Sequence, residues 1–268
     1  MEFDLELAAC TDIGKIREKN EDSTLIVPEL CLAAVADGMG GHNAGEVASN
    51  LAVSMLRQTL SDIKERKAAV PKDFEPKLPK IARKLLYASS IANERIFNLA
   101  SQNKKRTGMG TTLSAIYFED AENSAAVHIG DSRIYLLRGG ELRQISQDHS
   151  YVMEQVARGT MTKEQAEKSR IQNILTKALG LRRDVKCDII LLQPKEGDIY
   201  MLCSDGVNKG IPEAGIKEIL QKPVSAGKMC KEIANTSAKT DGKDNVSCVV
   251  VRLTPKKKKS ILSDFFGI

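Results

Sequence analysis

Hydrophobic positions recur along this chain with two periods, and the places where the period changes mark its elements. Leu5–Thr11 alternates polar and apolar residues and predicts a strand, which runs into TDIGKIREKNED and then a short apolar run, Leu25–Val27. AAVADGMGGH, residues 33–42, reads as a buried strand of small residues that delivers Asp37 to a glycine-rich bend before a helix. That helix spans about Gly45–Leu60: Val47, Leu51 and Met55 form one i, i+4 row, and Ala48, Ala52, Leu56 and Leu60 the next. Pro71, Pro76 and Pro79 then interrupt helix formation, and a second amphipathic helix is expected over about Lys80–Gln102.

From Thr111 the period becomes that of strands. Thr111–Phe118, Ser124–Ile129, Arg133–Leu137 and Glu141–Ile145 are short runs rich in β-branched and apolar residues, and their tight connections predict one antiparallel meander. Between Asp148 and Leu181 the strand signal is lost: Tyr151–Ala157 looks helical, Thr162 and Gln165 have capping-box spacing, and Asn173–Leu179 is either helical or extended. This polar excursion reads as a flap packed less firmly than the body, either an ordinary insertion or a lid facing substrate. Strands return at Val185–Leu192, at Asp198–Cys203 before SDG, and at Val246–Leu253, with helices expected over about Glu213–Leu220 and Ala226–Ala238.

Composition narrows the class. With 42% hydrophobic and 28% charged residues and no tryptophan, the 268-residue chain reads as one large globular domain, and no linker or internal repeat divides it. MEFDLELAAC lacks the pattern of a signal peptide, and no stretch approaches a membrane span. Four of the net +5 charges are Lys256–Lys259, so the body is close to neutral and makes no electrostatic case for nucleic acid. Six cysteines show no CxxC spacing, and five lie in apolar, strand-like runs as small buried hydrophobes, which points to a reducing, cytoplasmic compartment.

The candidate chemistry is acidic. Asp37, Asp131, Asp205 and Asp244 each abut an apolar strand and have a glycine or asparagine within two positions. Any one of them alone reads equally as a turn residue. Gathered at one sheet edge with Glu21, they would repel one another unless cations neutralised them, and oxygen ligands select hard ions, magnesium or manganese, over zinc. His42, His128 and His149 show no paired zinc spacing. The loop from Asp12 to Asp22 also crowds Arg17, Glu21 and Asp22 together, a cation able to grip an anion beside carboxylates able to face a metal. Two hard ions could lower the pKa of a water held between them and aim it at phosphorus, with Arg17 clamping the phosphate oxygens. No CxxxxxR loop, GxSxG elbow or Walker loop offers another route.

In order, TDIGKIREKNED, AAVADGMGGH, GMGTTL, HIGDSRIYLLRGGEL, DHS, LTKALG, LCSDGV and GKDNVS resemble the motifs of the PP2C-type (PPM) metal-dependent serine/threonine protein phosphatases, in their compact bacterial form, from about Leu7 to Leu253. The resemblance implies an α+β fold, a four-layer αββα sandwich of two antiparallel sheets flanked by helix pairs. It implies a catalytic domain over 1–254 with a flap over about 154–179, and leaves 255–268 as a basic tail. By motif, Asp37 is the carboxylate bridging two Mn2+ or Mg2+ ions, and the Gly38 carbonyl is a further ligand. Asp205 and Asp244 bind one ion and Glu21 holds the other, largely through water. Asp131 with Asp205 supports a third ion, and Arg17 grips phosphate.

The implied reaction is hydrolysis of phosphoserine and phosphothreonine in proteins, substrates of a serine/threonine kinase, by a hydroxide bridging two metals, in a cytoplasmic monomer. Some positions depart from the pattern. Met39 stands where animal members carry a histidine proposed as general acid; His42 is either that acid or a structural residue at the helix start, and His149 is expected to be structural. Asn245 either orients Asp244 or begins the last strand. Two rival readings remain: a binding module of the same fold that has lost catalysis, and a two-metal hydrolase of small phosphate esters.

Overall fold

A computed structural model describes residues 3–41, 44–102, 106–120 and 122–256. The expectations for His42 and for the tail after Lys256 lie outside these residues. Two antiparallel sheets form the centre. One joins β1 (Phe3–Asp12), β11 (Val246–Pro255), β10 (Ile199–Cys203), β7 (Arg133–Arg138) and β8 (Glu141–Gln144) in that order. The other joins β2 (Asp22–Val27), β3 (Leu32–Met39), β5 (Leu113–Phe118), β6 (Ser124–Ile129) and β9 (Asp188–Leu192), with the short β4 (Gly110–Thr111) on the end of β3.

The pleat sorts side chains into three apolar layers, because successive strand residues point to opposite faces. Leu32, Ala34 and Ala36 of β3 face α1 (Ala44–Lys64) and α2 (Lys80–Ser101), together with Ala48, Ala52, Leu56, Leu60 and Leu85 from the helices. Ala33 and Val35 face the opposite sheet, where they meet Tyr200 and Leu202 of β10 and Val249 and Val251 of β11. Met201, Cys203, Cys248 and Val250 face outward again, onto α6 (Glu213–Leu220) and α7 (Ala226–Thr240). Layers of helices, sheet, sheet and helices follow, the expected α+β sandwich. The small residues of AAVA suit a strand covered on both faces, with α1 packed against one of them.

Three local expectations need correction. The four strands from Thr111 are not one meander: β5 and β6 pair in one sheet, β7 and β8 in the other, and Gly130–Asp131–Ser132 carries the chain across. Tight turns look alike whether they close a hairpin or change sheet. Asn173–Leu179 forms no helix or strand, only isolated bridges at Leu175 and Leu179, whereas Asp205 lies just past β10 as expected and opens a short helix, α5 (Asp205–Gly210). Among the cysteines, Cys10, Cys203 and Cys248 lie in strands, whereas Cys230 is in α7 and Cys31 and Cys187 lie outside regular elements; all six are free thiols. The excursion does contain α3 (Tyr151–Ala157) and α4 (Lys163–Glu167), the latter with the Thr162–Gln165 capping box.

At the crossing, Gly130 has φ +105°, and a Cβ there would lie 2.4 Å from Cγ2 of Thr112. Both conformation and space demand glycine. Gly130→Ala is expected to cost about 1–3 kcal/mol in urea unfolding, more than Gly139→Ala at φ +56° with open space around it; equal costs would contradict the account of the crossing.

Candidate metal centre

The same alternation that builds the inter-sheet core places acids at its end. Asp37 continues the positions of Ala33 and Val35, and Asp22 lies directly across from it in the β2–β3 register. Ser204 continues those of Tyr200 and Leu202 and donates its hydroxyl to Asp22 Oδ2 at 2.7 Å. From the other sheet, Asp205 follows β10 and Asp244 precedes β11, while Asp131 sits on the crossing between the sheets. Strand ends on two facing sheets thus bring together residues that stand more than 200 positions apart.

Backbone bonds hold these positions. Thr112 Oγ1 accepts from the Asp37 N–H at 2.8 Å, and the Asp37 carbonyl accepts from the Thr112 N–H and the Thr111 hydroxyl, each at 2.9 Å. Gly38 donates to the Glu21 carbonyl at 3.1 Å, and a Cβ at Gly38 would lie 2.1 Å from the Gly45 carbonyl oxygen, so no other residue fits there. Asn245 takes the first role left open for it, its N–H donating to Asp244 Oδ1 at 3.0 Å, and its side chain adds more: Oδ1 accepts from the Glu21 N–H, and Nδ2 donates to the carbonyls of Ile13 and Lys19. It staples the charged loop to the start of β11. His149 is structural, with Nδ1 accepting from the Gly130 N–H at 3.1 Å and Nε2 meeting Asp188 at 3.2 Å.

The electrostatics show how strongly these acids resist carrying charge together. Burial, then the charges of Asp22, Asp205, Asp131 and Asp244, push the Asp37 carboxyl well above its ordinary range. Burial raises Asp22 to about 7 against the hydrogen bonds of Ser204 and Ser247, and raises Asp131 to about 7 with help from Asp205. Asp205 is raised by burial although Lys209 opposes it, and Glu21 is raised by burial against the pull of Arg17. Asp22 Oδ1 and Asp205 Oδ1 are buried without a hydrogen-bond partner. Each such atom carries a desolvation cost of about 1–3 kcal/mol unless a cation or proton meets it.

Cations of the chain meet part of this demand. Arg17 reaches Asp244 Oδ1 at 2.8 Å, and Lys209 bonds Asp205 and, at 3.1 Å, Asp244 Oδ2. With these contacts made, no three His, Cys, Asp or Glu among the described residues stand as a ready metal cage. The donor set nonetheless fits a hard divalent ion: it is all oxygen, it crowds negative charge that raises its own pKa values, and two of its buried oxygens are unpaired.

Glu21, Asp37, Gly38, Asp131, Asp205, Asp244 and Arg17 all belong to this end of the molecule. Lys209 is an addition, and Asp22, which the sequence already offers as a loop carboxylate able to face a metal, gains its place from pairing opposite Asp37. A cleft of about 710 Å3 opens beside the acids, with Arg17, Asp131, Asp205, Lys209 and Asp244 on one side. Met153, Lys163, Ala166, Gln172 and Asn173, from the excursion, line the other.

Comparison with known proteins agrees with this geometry. The family profile Protein phosphatase 2C matches residues 18–249. The serine/threonine protein phosphatase PstP of Mycobacterium tuberculosis is 37% identical over 246 residues, 92% of this chain, which spans only 44% of that protein's length. The serine/threonine phosphatase stp of Listeria innocua is 33% identical over 244 residues, 90% of this chain and 93% of that one. A crystal structure of the PstP catalytic domain in complex with two manganese ions superposes with a TM-score of 0.80 at 35% identity, covering 94% of this chain and 99% of that one. The chain belongs to the protein phosphatase 2C family of serine/threonine protein phosphatases.

A carboxyl whose pKa is higher folded than unfolded stabilises the fold below its unfolded value, and that contribution is lost as pH rises through the folded value. For Asp22 and Asp131 the window runs from 3.8 to about 7. His128, lowered by burial to about 4, opposes the trend once pH falls below 6.5. Chelator-treated protein should therefore melt at a higher temperature at about pH 6.5 than at about pH 8, and saturating manganese should reduce the difference. A melting temperature that rises with pH in chelator would refute this.

Proposed function

We propose that the chain hydrolyses phosphoserine and phosphothreonine in proteins at this centre, using two divalent ions, manganese or magnesium. The observation that carries the proposal is the set of Asp37, Asp205 and Asp244 gathered from two sheets, with a buried oxygen left unpaired, beside an arginine at the mouth of a cleft. Asp37, the Gly38 carbonyl, Glu21, Asp205 and Asp244 hold the two ions, and Asp131 with Asp205 holds a third. Bound there, hard divalent ions supply a water made acidic enough to attack phosphorus at neutral pH and neutralise phosphoryl charge.

The chain's own groups do the rest. Arg17 has half its side chain exposed at the rim of the cleft, and its planar guanidinium suits two phosphate oxygens. Asp22, fixed by Ser204, backs Asp37 with a second carboxylate and sets the charge of the site from behind. The flap, about 154–179, forms the far wall and meets the peptide on either side of the phosphoresidue. Substrates are phosphoproteins made by a serine/threonine kinase, and the six free thiols suit a reducing cytoplasm. Among the described residues no helix is long and apolar enough to cross a membrane. The protein works as a monomer, with residues 1–254 as the catalytic domain.

Phosphate release from a phosphothreonine peptide, with and without manganese, tests this reading. Asp205→Asn should lower kcat at least about a hundredfold, since losing a ligand costs no less than losing a group behind one. Activity in chelator or full activity in the variant overturns the mechanism; release from p-nitrophenyl phosphate but from no phosphopeptide favours a small-ester hydrolase. Asp131→Ala should slow turnover while calorimetry still finds two tightly bound manganese ions, and loss of both would remove Asp131 from the third site.

A further inference from the structure

Lys209 lies one helical turn after Asp205 on α5, and its ammonium group is shared by two carboxylates from different elements. It donates to Asp205 Oδ2 and, at 3.1 Å, to Asp244 Oδ2, with 26% of its side chain accessible. Burial weakens its hold on its proton, but Asp205 and Asp244 outweigh burial and keep it charged. The i, i+4 spacing ties this positive charge to Asp205 itself, so it stays beside the acids whatever the loops around them do.

The other oxygen of Asp205, Oδ1, is buried and unpaired. A divalent ion bound by Asp205 and Asp244 would sit within about 2–2.6 Å of their oxygens, on the ground the ammonium now holds. Two cations that close repel strongly in a partly desolvated site, so they do not both keep full contact with the same carboxylates. Asp205 Oδ1 is the oxygen open to the incoming ion, and Oδ2 of each aspartate is where Lys209 has to let go.

We propose that Lys209 is a built-in counter-ion, which holds the Asp205–Asp244 pair in the metal-free protein and is displaced when the divalent cation binds. This rests on Asp205 and Asp244 being metal ligands. Metal affinity is then the outcome of a competition: the ligands attract the ion, and the lysine charge sets the divalent concentration at which it wins. The same contact keeps the two elements in place before metal arrives, so the site is pre-assembled rather than splayed by its own repulsion. Arg17, on Oδ1 of Asp244 and half exposed, is the weaker partner in this respect because it makes no ion pair with Asp205 like that of Lys209 and acts on it only through its charge.

Calorimetric titration of manganese into the chelator-stripped full chain is the test, on the wild type, Lys209→Met, Lys209→Arg and Asp205→Asn. Removing a unit charge beside a divalent ion should tighten binding by at least about tenfold in Lys209→Met, while Lys209→Arg stays close to wild type and Asp205→Asn binds more weakly. Unchanged or weaker binding in Lys209→Met, with Asp205→Asn weakened, overturns the counter-ion and leaves the metal site standing. Unchanged binding in Asp205→Asn overturns the ligand assignment itself. Amine acetylation of the wild type, followed at Lys209 by mass spectrometry, needs no variant to fold: manganese should raise the labelling rate, and a rate that manganese leaves unchanged or lowers overturns the proposal.

Discussion

Six carboxylates held close together at one end of a sandwich, Glu21, Asp22, Asp37, Asp131, Asp205 and Asp244, repel one another, and the surrounding structure is arranged to withstand that repulsion. Left alone, such acids would splay the strand ends or draw protons, as the raised pKa values of Asp22, Asp37 and Asp131 record. Three kinds of group oppose this: hydroxyls such as Ser204, the backbone N–H of Gly45 on Glu21, and the cations Arg17 and Lys209. Oδ1 of Asp22 and of Asp205 still lacks a partner. A protein seldom leaves buried oxygens in that condition without a ligand to meet them.

Closing two sheets on one another is what makes the cluster possible. Asp22 and Asp37 come from one sheet, Asp205 and Asp244 from the other, and Asp131 from the strand-to-strand crossing, so no single hairpin or helix could present the set. Three apolar layers keep the sheets in register, and the inter-sheet layer is anchored by an edge-to-face contact between Phe118 and Tyr200 at 5.7 Å. Rigid strands position the acids, and a less regular segment with α3 and α4 walls the cleft opposite them. That division lets the peptide-facing wall vary while the chemistry stays fixed.

Much of this was legible from the residues. The run AAVADGMGG marked both a strand buried on two faces and the acid at its end, because small apolar residues and closely spaced glycines leave few other structures open. The two long helices followed from their i, i+4 rows, and Asp131, Asp205 and Asp244 from their position beside apolar strands. Motif order then joined the four acids into one site, which spacing alone did not do.

What the sequence determined by itself was local: periods, turns, caps, and which residue types were available for chemistry. Which sheet a strand joins depends on partners far along the chain, so the supposed meander of β5 to β8 had to be split at Gly130. Asp22 was available as a loop carboxylate able to face a metal, but only its register opposite Asp37 fixed its place, since one residue's slip would turn it to the other face. Lys209 became visible only when α5 formed and β11 brought Asp244 within reach of its ammonium group. Composition and pattern assign charge to positions, but distances between charges, and hence their pKa values and counter-ions, exist only once the tertiary structure has closed.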